Sequence, residues 1–170
     1  MTSSAISRDP GALDAGILGV VEHIHVAMDA GAPMVAHDRV TALAGIGLEG
    51  DRYATRRGHW SPTARRGDQL TLVEAEVIES LGAVDGPPLQ PGETRRNVTT
   101  RGVRLDDLIG RRFRVGGALL VGVRRCEPCS YLEGLLDRPV MIPLVHRGGI
   151  RADIVETGEI AVGDPIRAAD

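Results

Sequence analysis

Both cysteines of this 170-residue chain lie in one short segment, three positions apart and directly behind two arginines. The thiolate is the nucleophilic and metal-binding form of cysteine, and nearby positive charge favours it. Pro128 stiffens the turn that presents Cys129, and a helix predicted over 130–136 directs the positive end of its dipole toward that thiol. We therefore predict that Cys129 is a working thiolate and that Cys126 is its neighbour or a resolving thiol. Burial of both as small hydrophobic residues stays open.

Three kinds of chemistry are compatible with a Cys-x-x-Cys pair. A structural zinc site needs four ligands, and the chain contains a single pair. A thioredoxin-like redox motif belongs in a βαβ unit, which this sequence does not predict. The remaining possibility is a single thiolate that acts as a soft metal ligand or as a sulfur carrier.

A second candidate group is the Arg-Arg-Asn sequence at 95–97. On a strand predicted over 94–100, Arg95 and Asn97 would point to one face and Arg96 to the other. A guanidinium and a carboxamide on one face can bind an anionic ligand that is rich in hydrogen-bonding groups. A solvated strand face is the alternative. Arg52, in the Asp-Arg pair after a glycine-rich turn, is a similar candidate.

The predicted elements that position these residues are short strands and few helices. Strands are predicted over 16–26, 69–73, 94–100, 112–115, 118–123, 150–155 and 159–162, with helices over 74–81 and 130–136. Glycines 116 and 117 predict a hairpin between two of the strands. Many short strands separated by turns favour a mostly β, barrel-like fold with a few short peripheral helices. Residues 1–15 are predicted to be a flexible arm before a single domain over 16–167.

The composition excludes several classes of function. All 20 basic residues are arginine, so a lysine Schiff base, lysine-linked pyridoxal phosphate and a P-loop are excluded. A net charge of −3 and only four Phe, Trp and Tyr residues argue against a nucleic-acid partner. No apolar run in the sequence is long enough to span a membrane, and two cysteines do not make a disulfide scaffold. The polar start of the sequence leads us to expect no signal peptide. We expect a cytoplasmic protein without a membrane partner.

Four segments together resemble the MOSC domain, named for the C-terminal part of molybdenum cofactor sulfurases. They agree with it in order and spacing, and they are Gly-Asp-Arg-Tyr (50–53), Arg-Arg-Asn-Val-Thr-Thr-Arg-Gly-Val (95–103), Arg-Cys-Glu-Pro-Cys (125–129) and Val-Gly-Asp-Pro (162–165). The resemblance implies a β-barrel-like fold with one essential cysteine. It places the molybdenum-coordinating cysteine at Cys129 and a second cysteine at Cys126. It implies that Arg95 and Asn97 contact the pterin of the molybdenum cofactor, with Arg52 near its phosphate and Arg125 also at the site.

Three functions follow from this resemblance. The first is an enzyme that depends on the molybdenum cofactor (molybdopterin) and reduces small N-hydroxylated substrates, with electrons from a flavoprotein or an iron–sulfur protein. The second is a sulfurtransferase or carbon–sulfur lyase that uses Cys129 as persulfide carrier or nucleophile. The third is a cofactor carrier without catalytic activity.

Overall fold

The computed structural model describes residues 16–63, 65–83 and 85–169. The strands in chain order are β1 (Ile17–Val26), β2 (Val35–His37), β3 (Arg39–Leu43), β4 (Gly47–Leu48), β5 (Leu70–Glu74), β6 (Val98–Arg101), β7 (Arg112–Val115), β8 (Ala118–Arg125), β9 (Ile150–Glu156), β10 (Gly158–Ala161) and β11 (Pro165–Ala168). The helices are α1 (Ala75–Ser80), α2 (Ser130–Leu136) and α3 (Met141–Leu144), with 3-10 turns at Ser61–Thr63 and Leu105–Leu108.

Seven of the strands close into a barrel. The main sheet has the order β11-β7-β8-β9-β5-β6-β1-β2, and β1 also pairs with β11. The pairing of β5 with β6 is parallel, while the other pairings in this sheet are antiparallel. Strand β2 extends the sheet outside the closed ring, and β10, β3 and β4 form a second, smaller sheet. The fold is therefore mostly β and barrel-like, as the sequence predicts.

Side chains that alternate along the strands fill the barrel. Phe113 and Leu120 pair across β7 and β8, and both are fully buried. A second apolar group lies under the helices, and Cys129 packs against it: Val73, Ile78, Leu89, Leu132, Val140 and Leu144. Burial alternates along β7 and β9, whereas β5 is buried on both faces, with Leu72 in the barrel core and Val73 in the apolar group under the helices.

Several local predictions are confirmed and several elements were missed. The hairpin at Gly116 and Gly117 and the helix over 130–136 have the predicted positions. Strands β2, β3, β4 and β11 and helix α3 were not predicted. The strand predicted over 94–100 begins only at Val98, because Arg95 has a left-handed backbone with φ 60°. The predicted arm over 1–15 lies outside the described residues. Within the described ranges no helix is long and apolar enough to cross a membrane.

Candidate functional site

A cleft of about 560 Å³ opens beside the two cysteines. Seven arginines line it, together with two carboxylates, both thiols and an aromatic group. The arginines are Arg52, Arg65, Arg95, Arg96, Arg124, Arg125 and Arg151; the carboxylates are Asp68 and Glu127; the aromatic residues are Tyr53, His59, Trp60 and Tyr131. Guanidinium groups outnumber carboxylates along this lining, which favours an anionic ligand over a cationic one.

The cysteine turn connects strand β8 to helix α2. Cys129 occupies the position before the first helical residue, with extended backbone angles (φ −142°, ψ 163°), and its carbonyl accepts a hydrogen bond from the Glu133 amide at 3.1 Å. Its side chain is half-buried, whereas Cys126 is only 1% exposed. Both cysteines line the cleft, and Cys129 is the more accessible of the two.

Arg96 fastens this turn to neighbouring segments. The buried guanidinium donates to three backbone carbonyls: Gly148 (2.8 Å), Thr94 (2.9 Å) and Cys126 (2.8 Å). The Cys126 amide in turn donates to the Gly149 carbonyl at 2.8 Å. No carboxylate among the described residues pairs with Arg96. Its charge therefore stays uncompensated while its hydrogen bonds fix the backbone of the cysteine turn.

Arg52 lies at the cleft and is held from behind by a buried carboxylate. Its Nη1 is 3.1 Å from Asp51 Oδ1, and the two side chains are 6% and 0% exposed. Its Nη2 donates to the Arg95 carbonyl at 3.2 Å, and its guanidinium carbon lies 4.8 Å from the centre of the Tyr53 ring. Pairing with Asp51 makes burial of this cation tolerable and fixes its direction.

Asn97 lies behind the cleft and does not line it. It is fully buried, and its Oδ1 accepts hydrogen bonds from the amide and the hydroxyl of Thr71, both at 3.1 Å. Its Nδ2 donates to the His25 carbonyl (3.1 Å) and to Asp51 Oδ1 (3.2 Å). Both amide hydrogens and the carbonyl oxygen are thus used within the protein. The predicted contact of Asn97 with a cofactor stays a prediction, and in this structure Asn97 positions Asp51.

Arg95 reaches the cleft from the left-handed backbone position described above. Its Nη1 donates to the Ala32 carbonyl at 2.7 Å, and its Nη2 is buried without a hydrogen-bond partner among the described residues. Burial lowers the pKa of Arg95, and the neighbouring charge of Arg52 lowers it further. The unpaired Nη2 donor of Arg95, next to the positive charge of Arg52, favours a negatively charged ligand.

Arg125 lines the cleft at its exposed side. Its Nε and Nη2 both donate to Asp106 Oδ2, at 3.1 and 2.7 Å, and this hydrogen-bonded pair raises the pKa of Arg125. The side chain is 46% exposed. Its charge is already shared with a carboxylate, so it is less available to a ligand than Arg95.

Residues that the sequence did not single out complete the site. The rings of His59 and Tyr131 stack with centroids 3.8 Å apart and an interplanar angle of 8°, and Trp60 meets His59 edge-on at 4.6 Å. This stack connects the loop before the 3-10 turn at Ser61–Thr63 to helix α2. A signal was present, since three of the four Phe, Trp and Tyr residues line this one cleft.

The protein itself does not provide a metal cage here. Within the described residues, no group of three or more His, Cys, Asp and Glu could hold a metal ion. Cys129 can contribute one soft ligand, so any metal at this cleft would need its other ligands from a cofactor or from solvent.

The comparisons with known proteins agree with the barrel fold. A family model described as the MOSC domain matches residues 57–167. The solved structure of the YuaD protein from Bacillus subtilis is 19% identical, with a TM-score of 0.72 over 89% of this chain and 97% of that one. YiiM from Geobacillus stearothermophilus is 17% identical, with a TM-score of 0.60 over 91% of this chain and 75% of that one. YiiM from Escherichia coli is 19% identical, with a TM-score of 0.56 over 87% and 70%. No curated protein matches the chain. The structural likenesses are likenesses of fold, and the family model covers more than half of the chain, so this protein belongs to the MOSC domain family.

Proposed function

We propose that this protein binds a molybdenum cofactor in the cationic cleft, with Cys129 as the protein ligand of the metal, and reduces small N-hydroxylated compounds. The observation that carries the proposal is the placement of an accessible thiol in a cleft where seven arginines face two carboxylates. A soft thiolate suits a molybdenum centre, and guanidinium groups suit the phosphate of a pterin cofactor.

The residues present fit such a cofactor in size and charge. A cleft of about 560 Å³ is within the range of cofactor sites, about 300–1,000 Å³. The buried Arg95 Nη2, which has no partner among the described residues, supplies a donor that an anionic ligand would satisfy. The described residues contain no group of three or more His, Cys, Asp and Glu that could hold a metal ion, and this is compatible with a cofactor that brings its own sulfur ligands.

Under this proposal each residue at the cleft would have a separate role. Cys129 would hold the metal, while Arg52 and Arg95 would bind the phosphate and pterin edge. Asn97 would act through Asp51 by keeping Arg52 in place. Arg125, whose charge is shared with Asp106, would contribute less at the exposed side. The stacked pair of His59 and Tyr131 would exclude water from one wall.

When bound, the cofactor supplies two-electron redox chemistry at molybdenum. Reduction of an N-hydroxyl group consumes two electrons and two protons and releases water, so an electron donor is needed. We propose a flavoprotein or an iron–sulfur protein in this role. The cytoplasmic location expected from the sequence stays a prediction.

The proposal is tested by metal and pterin analysis of protein purified from a host that makes the cofactor. We expect close to one molybdenum per chain in the wild-type protein and a large loss in Cys129→Ala. Cys126→Ala should keep the metal, because the buried Cys126 is not the proposed ligand. Wild-type protein without molybdenum or pterin, produced in a host whose other molybdenum enzymes are loaded, would contradict the proposal.

Sulfur transfer is a second candidate, since both thiols line the same cleft. A persulfide on Cys129 would be resolved when the Cys126 thiolate attacks Cys129 Sγ, which forms a Cys126–Cys129 disulfide and releases hydrosulfide. Mass spectrometry after incubation with a sulfur donor distinguishes the two candidates. A mass increase of one sulfur at Cys129 that is reversed by reductant, in metal-free protein, would favour sulfur transfer.

A further inference from the structure

Two arginines lie directly opposite each other on neighbouring strands at the wall of the cleft. Arg124 on β8 is the cross-strand partner of Arg151 on β9. Their side chains are 29% and 13% exposed, and both line the cleft. Like charges in this position destabilise an antiparallel pair, so the arrangement needs a compensating anion.

Asp68 provides only part of that compensation. Its Oδ1 accepts from Arg124 Nη2 at 2.6 Å and from Arg151 Nη1 at 3.2 Å. Its Oδ2 is occupied by the Arg65 amide at 2.8 Å. One carboxylate is therefore shared between two guanidinium groups, so the formal charge of these three side chains is +1, and Arg151 has a further hydrogen bond with Tyr53.

The pair also has an unused donor. Arg124 Nε is buried and has no hydrogen-bond partner within the described part of the chain. Burial lowers the pKa of Arg124, and the charge of Arg151 is the next cause. The pKa of Arg151 is raised despite its burial, because Cys126, Tyr53 and Asp68 stabilise its charge and Tyr53 hydrogen-bonds to it. A buried guanidinium N–H without a partner is costly unless a ligand satisfies it.

This pair comes from different elements than the arginines assigned to the cofactor. Arg52 and Arg95 belong to loops and bond to each other through the Arg95 carbonyl. Arg124 and Arg151 belong to barrel strands and bond to Asp68. The cleft thus contains two cationic groups with different carboxylate partners, and Tyr53 contacts both of them, through the Arg52 guanidinium and through a hydrogen bond with Arg151.

We propose that Arg124, Arg151 and Asp68 form a second anion-binding subsite, which takes the carboxylate of the substrate. The residual charge of one matches a single carboxylate, whose planar edge suits a guanidinium fork. This inference rests on the proposed function and names its substrate class: N-hydroxylated compounds that also carry a carboxylate.

A pair of matched substrates tests the subsite in the loaded enzyme. Benzamidoxime and para-carboxybenzamidoxime differ only in the carboxylate, so the ratio of their kcat/KM values measures its recognition. We expect Arg124→Gln to lower that ratio roughly tenfold, because a charge-assisted hydrogen bond is lost. Arg124→Lys should restore part of the ratio. Arg114→Gln removes the same charge from the exposed Arg114–Glu156 pair and should leave the ratio unchanged.

Metal content separates this inference from the proposed function. Arg124→Gln should keep the molybdenum content of the wild type, and a large loss would place this pair in cofactor binding and overturn the subsite. A ratio unchanged in Arg124→Gln would also overturn it.

Direct binding to metal-free protein gives a second, independent test. Fluorine NMR of para-fluorobenzoate should show binding that weakens roughly tenfold in Arg124→Gln, whereas the neutral para-fluorobenzyl alcohol should bind with no such dependence. This measurement remains decisive even where no molybdenum is found. Benzoate binding that is absent, or equal in wild type and variant, would refute the subsite. Competition by inorganic phosphate stronger than that by benzoate would show a phosphate site instead, and would also refute it.

Discussion

Asp51→Asn is expected to destabilise the fold strongly, because it leaves a buried cation without its counter-charge. Asp51 is fully buried, and Arg52 is 5% exposed with its Nη1 3.1 Å from Asp51 Oδ1. Breaking a buried ion pair by removing one partner costs about 3–5 kcal/mol. The new amide would also face the Tyr53 N–H, which now donates to Asp51 Oδ2 at 3.2 Å. We therefore expect a loss in the free energy of unfolding near the upper end of that range.

Urea denaturation at neutral pH measures the loss, and an exposed ion pair provides the control. Glu159→Gln removes one carboxylate from the Arg39–Glu159 pair, whose side chains are 68% and 56% exposed. Exposed pairs contribute about 0–1 kcal/mol. If Asp51→Asn cost no more than this control, the reasoning that links burial of the pair to its stability would be refuted.

The double variant Asp51→Asn with Arg52→Met separates charge from hydrogen bonding. Removal of both members of a buried pair is often close to neutral, so the double variant should be more stable than Asp51→Asn alone. A double variant that is no more stable would assign the cost to the lost acceptor of the Ala27 and Tyr53 amides instead. Either result also bears on the cleft, because Arg52 supports the Arg95 carbonyl.

Three further predictions concern the same scaffold. Asn97→Ala should leave the Thr71 N–H and the His25 carbonyl without their partner. Each buried group left in this way should lower the free energy of unfolding by about 1–3 kcal/mol. A loss in cofactor content without any loss in stability would instead indicate a direct contact between Asn97 and the cofactor. Gly149→Ala should lower the thermal midpoint, since Gly149 has φ 90° and a Cβ there would overlap the Leu72 carbonyl oxygen. Gly134→Ala, in an open helical position, should raise it, and equal effects would contradict the steric argument. Burial, followed by the charges of His23 and His37, lowers the pKa of His25 below its ordinary 6.5. The unfolded chain then binds more protons, so stability is lost as the pH falls below about 6.5. The urea midpoint should drop less between about pH 7 and about pH 5 in His25→Gln than in wild type, and parallel curves would exclude His25 as the cause.

The sequence predicted the barrel class and the cysteine turn because both depend on local signals. The Gly116-Gly117 turn and the alternating burial of β7 are visible in a short window of sequence. The same holds for the helix that begins directly after Cys129. Barrel closure depends on the pairing of β1 with β11, which are separated by most of the chain. No local pattern encodes that pairing, and β11 was missed.

The arginines at 95 and 96 show why the site was predicted only in part. Alternation along a strand would have placed Arg95 and Asn97 on one face and Arg96 on the other. The left-handed backbone at Arg95 breaks that alternation, and residue type does not signal it, because arginine rarely adopts this conformation. As a result both arginines line the cleft and Asn97 lies behind it. Arg124, Arg151 and Asp68 come together only through the β8–β9 pairing and a distant loop, so sequence spacing could not reveal their cluster.

The hydrogen bonds of Arg96 explain how a cleft this cationic stays ordered. A guanidinium that donates to three carbonyls fixes the cysteine turn without needing a carboxylate, so its charge is left to act on the cleft. If a carboxylate accepted these hydrogen bonds instead of the three carbonyls, it would neutralise the charge of Arg96 and weaken the attraction for an anion. The same reasoning applies to Arg124 and Arg151, where one carboxylate serves two cations. Arg96 can therefore have two roles under the proposed function, since its N–H groups hold the backbone while its unpaired charge would favour a negatively charged ligand beside Cys129.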